Sequence, residues 1–289
     1  MMWTGGLAGM VILCGVLASV SSAAVQTKAI EYQDGDVVLE GYLAWDDART
    51  GQRPGILVVH EWWGLNDYAK SRARQLAELG YVAFAVDMYG KGVLAKTREE
   101  AQKLTGPFYK DRKLMRQRAA AGLEVLRKQE LVDTTRIAAI GYCFGGTTVL
   151  ELARSGANLV GVVSFHGGLA TPDPEEAKAI KAKVLVLTGA ADPSVPPEQV
   201  KAFQDEMTKA GVDWYLTSYG GAVHAFTNPA SGHDPSKGVA YNAAADRRSW
   251  TAMKDFFTEI FAPLSPPEAK PKAEPKPAGG AEEKAPASN

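Results

Sequence analysis

The sequence predicts an α/β fold: a mostly parallel central sheet opened by an antiparallel N-terminal hairpin, with helices on both faces. Three observations carry this. Short apolar runs of the kind that form strands buried on both faces alternate with amphipathic helical stretches, and parallel neighbours require such crossovers. The first two strand-like segments instead flank the turn QDGD, a hairpin signal. With 289 residues, 46% of them hydrophobic, the chain can bury one large core.

The hairpin strands are expected over residues 27–32 and 37–45, where side chains alternate with the period of a half-buried strand. GILVVH at 55–60 is continuously apolar and reads as a buried strand, and YAKSRARQLAELG at 68–80 is an amphipathic helix stopped by Gly. A strand over 81–87 follows, then helices over 97–104 and 111–129. RIAAIGY at 136–142 is the next strand, and 147–155 the helix after it. Strands over 159–165 and 183–189, a helix over 197–211 and a strand over 213–219 continue the alternation. The closing helix, 241–261, gathers Trp250, Met253, Phe257, Ile260 and Phe261 on one face. No internal repeat interrupts the pattern.

Both ends fall outside it. Residues 1–23 are expected to be a secretory signal peptide, because residues 7–20 are apolar but short for a stable membrane span and small residues precede a cleavage point after Ala23 or Ala24. The missing Lys or Arg before the apolar run leaves an uncleaved anchor or a misassigned start as alternatives. Leu13 stands where a lipoprotein site wants a small residue, which argues against lipidation of Cys14. The globular domain is expected over 24–262. Residues 263–289 are Pro, Ala, Lys and Glu without periodicity, the composition of a disordered, solvated tail. The 32 basic and 33 acidic side chains nearly cancel, so no long-range field would gather nucleic acid or an anionic membrane.

The chemistry concentrates at GYCFGG. Gly141-Tyr142-Cys143-Phe144-Gly145 has the G-x-C-x-G form of a nucleophile elbow and lies between an expected strand and an expected helix. Its glycines suit a strained turn in which a Cβ would collide, and a helix starting near Gly145 would aim its positive end at the sulfur. The alternative is a buried structural cysteine; with the leader removed Cys143 is the remaining cysteine, so no intramolecular disulfide forms. A thiol nucleophile needs a base held by a third group. Of four histidines, His60 and His166 precede the expected acid; His224 follows a strand directly, whereas His233 sits in the polar loop beyond it. His224 is therefore the expected base and Asp192, at a strand end after the elbow, the acid that holds its tautomer; Asp87 precedes the elbow and reads as structural. The Phe144 N–H supplies one oxyanion donor, and the loop HEWWGLND the other. No clustered His and Cys ligands imply a metal or cofactor.

Over roughly residues 26–261 the sequence resembles the dienelactone hydrolase family of α/β-hydrolases, on GYCFGG, GAADPSVP around Asp192, GGAVHAF around His224 and HEWWG from His60. The resemblance implies an α/β-hydrolase fold, a triad of Cys143, His224 and Asp192, and an oxyanion hole from the backbone of Trp62 and Phe144. It also implies that Glu61 contacts the thiol and helps deprotonate it when substrate arrives. Family members that open dienelactones bind the substrate carboxylate with two arginines; here Lys91 and Asn228 stand in those regions, so a preference for a dienelactone is not implied.

The expected protein is thus an exported hydrolase, secreted or periplasmic, that cleaves a small ester, lactone or thioester through an acyl-cysteine. Trp63, Tyr89, Lys91 and Phe226 are weaker candidates for lining its pocket. No nucleic-acid partner and no stable membrane span after leader removal are expected, and a monomer is favoured. A catalytically idle binding module of the cell envelope is the rival, and acyl transfer to an acceptor other than water would use the same residues.

Overall fold

The computed structural model describes Met1 and residues 25–261; the expected tail, and all of the expected leader beyond Met1, lie outside the described residues. One eight-stranded sheet runs in the order β1-β2-β4-β3-β5-β6-β7-β8. Its strands are β1 (Val25–Asp34), β2 (Val37–Asp46), β3 (Arg53–Val59), β4 (Val82–Val86), β5 (Val132–Tyr142), β6 (Gly161–Phe165), β7 (Lys183–Gly189) and β8 (Trp214–Tyr219). β1 pairs antiparallel with β2 and β2 antiparallel with β4; every later pairing is parallel.

The helices are α1 (Asp67–Glu78), α2 (Arg98–Lys110), α3 (Arg112–Arg127), α4 (Phe144–Arg154), α5 (Pro197–Ala210) and α6 (Ala243–Phe261). The continuous apolar strands bury one set of side chains on each face. Leu57, Val59, Phe84 and Ala139 meet Met115 and Leu123 of α3, Phe144 and Val149 of α4, and Phe203 of α5. Ile56, Val58, Ala138 and Leu185 meet Ala73 and Leu76 of α1 and Met253, Phe256 and Phe257 of α6. Removing both faces from water is the dominant favourable term in such a layered fold.

The three larger departures from the expected boundaries each have a physical cause. β5 starts four residues earlier, at Val132, because an irregularity between Pro54 and Gly55 lets its first residues pair with the start of β3. α2 continues past Gly106 and Pro107 to Lys110, and the buried Phe108 holds this last turn against the core. Asp111 then ends α2 and caps α3, its Oδ1 accepting from the N–H groups of Lys113 and Leu114. α4 begins at Phe144, so both glycines that follow lie inside its first turn.

Candidate active site

The parallel strands end along one edge, where ligands of such sheets bind, and β5 runs straight into α4 with Cys143 as the joint. Its backbone sits at φ 54°, ψ −116°, a region that disfavours any residue with a Cβ. Two more non-glycine residues have positive φ, His166 at 39° and Ala225 at 56°; the first accepts from the Cys143 N–H and the second lines the same cavity as Cys143. A Cβ on Gly141 would overlap the backbone of Gly145, and one on Gly145 would overlap the Val59 carbonyl, so the first turn of α4 lies directly against the end of β3. The strained turn is held by its own amide: the Cys143 N–H donates to Phe165 O at 3.0 Å and to His166 Nδ1 at 3.1 Å.

His224 follows β8 and bridges in parallel to the segment around Val239, its N–H donating to Gly238 O and its carbonyl accepting from Ala240 N–H. From there its Nε2 stands 3.0 Å from Cys143 Sγ, and its Nδ1–H donates to Asp192 Oδ2 at 2.9 Å. Asp192 is buried, and its other oxygen accepts from the Ser194 N–H at 2.8 Å. Burial alone would push the imidazole pKa down, but the Cys143 sulfur and the Asp192 carboxylate outweigh it and hold His224 well above the ordinary imidazole value. Such a line can move the thiol proton onto a ring whose positive charge the carboxylate stabilises.

The turn after β3 faces the sulfur from the other side. His60 Nε2 accepts from the Met88 N–H, so its Nδ1–H donates to Glu61 O; Tyr89 O–H donates to Trp62 O at 3.0 Å. The Trp62 and Phe144 N–H groups donate to no acceptor among the described residues. Glu61 is buried, and its Oε2 accepts from Asn228 Nδ2 at 2.6 Å, whereas the thiol's hydrogen-bond partner is His224. Burial pushes the Glu61 pKa up to about 7 against the opposing pull of Asn228, His224 and Arg72.

His166, which precedes the acid in sequence, is part of this arrangement. With Nδ1 accepting from Cys143, its Nε2–H donates to Thr227 Oγ1 at 2.7 Å, and Thr227 joins Tyr68 O–H at 2.6 Å. Burial and the nearby charges of His224 and Arg72 hold its pKa well below the usual imidazole range, so it stays neutral. A histidine at a strand end was the available signal; its partner, 23 residues away in sequence, was not.

Three of the weaker pocket candidates lie elsewhere. Lys91 is exposed and pairs with Glu31 and Glu40 of the hairpin. Phe226 is fully buried, edge-on to His166 and packed on Tyr219, because the chain turns inward after His224 to complete the core. Tyr89 stacks behind the loop on His60, Phe108 and Phe144, where it holds the Trp62 carbonyl. Trp63 does line a cavity. Cys143, His224, Trp62 and Val239 separate two chambers: one of about 610 Å³ with Glu61, Trp63, Asp67 and Arg98 in its wall, and one of about 560 Å³ with Tyr109, Arg112, Thr147 and Gln199. Among the described residues no three His, Cys, Asp or Glu side chains are grouped to hold a metal ion, and no helix is long and apolar enough to cross a membrane.

Comparison with known proteins agrees with this architecture. A model of the dienelactone hydrolase family matches residues 39–261. A solved chain named m3DLH is 45% identical with TM-score 0.80, covering 83% of this chain and 100% of its own. A dienelactone hydrolase-like promiscuous phosphotriesterase from metagenomic libraries is 44% identical with TM-score 0.79, covering 83% and 99%. A Yersinia pestis protein with the provisional name carboxymethylenebutenolidase is 28% identical over 76% of this chain and 84% of its own.

Proposed function

The chain belongs to the dienelactone hydrolase family and is a hydrolase acting on lactone or ester bonds, and on that premise we propose that it works through Cys143, His224 and Asp192 by an acyl-cysteine intermediate. The observation that carries the reading is His224, with Nε2 at 3.0 Å from the sulfur and Nδ1 at 2.9 Å from the carboxylate. Sγ, having given its proton to His224, attacks the carbonyl carbon; the Trp62 and Phe144 N–H groups receive the oxyanion, and the imidazolium protonates the departing alkoxide. His224 then takes a proton from water, which attacks the thioester and releases the acid and free thiol. Each turnover consumes one ester and one water and yields one acid and one alcohol.

The test is hydrolysis of small activated esters and lactones by purified protein, with intact mass of the trapped acyl-enzyme. Cys143→Ala is expected to abolish turnover and the mass adduct with an unchanged circular dichroism spectrum; equal turnover by both proteins would sink the reading. The metagenomic neighbour named as a phosphotriesterase supports adding phosphotriesters to the panel. We further propose export: the apolar stretch at 7–20 and the small residues before Ala23 support a cleaved leader and a secreted or periplasmic enzyme. N-terminal sequencing of the protein isolated from its host tests this, with an intact Met1 as the contrary result.

A further inference from the structure

The two chambers beside Cys143 differ in charge. The wall of the first contains Glu61 and Asp67 against Arg98, which is exposed at its rim. Among the described residues the wall of the second contains no carboxylate, and its one permanent charge is the guanidinium of Arg112.

Among the described residues that guanidinium finds no oxygen acceptor. It stacks on the Tyr109 ring, 4.9 Å from the centroid, and makes one weak contact from Nη1 to Met115 Sδ at 3.7 Å. It forms no ion pair among the described residues, and its Nε is buried without a hydrogen-bond partner. Glu151, whose charge reaches it, is already hydrogen-bonded to Arg116 and Arg154. A half-buried guanidinium without a counter-ion loses hydration, and an aromatic face and a thioether replace only part of it. Its planar fork matches a carboxylate, and an apolar chamber favours a monoanion over a more costly dianion.

We infer that the second chamber is a subsite for a carboxylate-bearing limb of the substrate, held by Arg112, while the Trp63 chamber takes the uncharged limb. The inference rests on Cys143 as the nucleophile between the chambers. It makes the enzyme selective for half-esters of dicarboxylic acids or esters of hydroxy acids over neutral esters of the same length. The carboxylate is recognised through neither Lys91, which faces the hairpin, nor Asn228, which is bound to Glu61.

Matched pairs test it: p-nitrophenyl hemiglutarate against p-nitrophenyl valerate for the acyl limb, and 4-acetoxybenzoate against phenyl acetate for the alcohol limb. In at least one pair the carboxylated-to-neutral ratio of kcat/KM is expected to fall by about tenfold or more in Arg112→Gln, with part regained in Arg112→Lys. A ratio that Arg112→Gln leaves unmoved in both pairs overturns the subsite. A second readout needs no turnover: of the amide analogues of the two carboxylated esters, at least one should slow alkylation of Cys143 by iodoacetamide in wild type and not in Arg112→Gln. Protection without turnover on any ester keeps the subsite and overturns the hydrolytic mechanism; turnover with equal protection in both proteins does the reverse.

Discussion

Asn228 Nδ2 donates to Glu61 Oε2 at 2.6 Å, joining the loop after the catalytic-histidine candidate to the turn after β3 across 167 positions of sequence. The same asparagine accepts from the Ala230 N–H, so its side chain is fixed at both ends. Glu61 is thereby held in a buried wall of the first chamber with a pKa near 7.

A pH dependence of stability follows. Glu61 binds its proton more tightly folded than unfolded, since burial raises it from 4.5 to about 7. Its contribution is therefore full below about pH 4.5 and is lost as pH rises through about 7. Wild type should lose up to about 3 kcal/mol relative to Glu61→Gln over that window. Urea titrations of both proteins across it measure the difference, and parallel curves would contradict the assignment.

Asp192→Asn should leave the fold intact and release the His224 tautomer. The expected loss in kcat on an activated ester is about two to four orders of magnitude, with little change in KM. Steady-state kinetics decide it.

His166 is a positioning residue, acting through the Cys143 amide. His166→Ala removes one of two acceptors for that N–H and opens a buried cavity, at a cost of about 2–4 kcal/mol. A looser elbow should appear as a lower kcat with KM and the pH profile nearly unchanged; a shifted pH profile would mean that His166 titrates in the reaction.

Arg154 is fully buried and forked onto Glu206 at 2.7 and 2.9 Å, with Glu151 at 3.1 Å and Leu169 O at 3.1 Å. It ties α4, which carries the elbow, to α5. Glu206→Ala removes its forked partner and should destabilise by about 3–5 kcal/mol, read from the urea midpoint.

The sheet and most of its elements were legible because strands buried on both faces must be continuously apolar and crossover helices must be amphipathic, and both patterns are local. The hairpin turn, the Gly211 stop of α5 and the glycine spacing around Cys143 are local too. α2 runs past its expected end at residue 104, through Gly106 and Pro107, because the force that extends it is burial of Phe108 against distant residues. Phe226 and Tyr89 lie outside the cavity walls, a placement the sequence does not show for the same reason: an aromatic near a site reads alike whether it faces solvent, ligand or core.

The sequence by itself determined the layered α/β architecture, the elbow at Cys143 and the short candidate set of histidines and acids, since each depends on residue type and spacing along a few turns of chain. Tertiary structure alone decided which of these meet. It set His224 between Cys143 and Asp192, turned Asn228 onto Glu61, placed His166 beneath the elbow and left Arg112 without an acid in the second chamber. Those relations depend on where parallel strands bring remote loops together, and no local pattern encodes a distance between them.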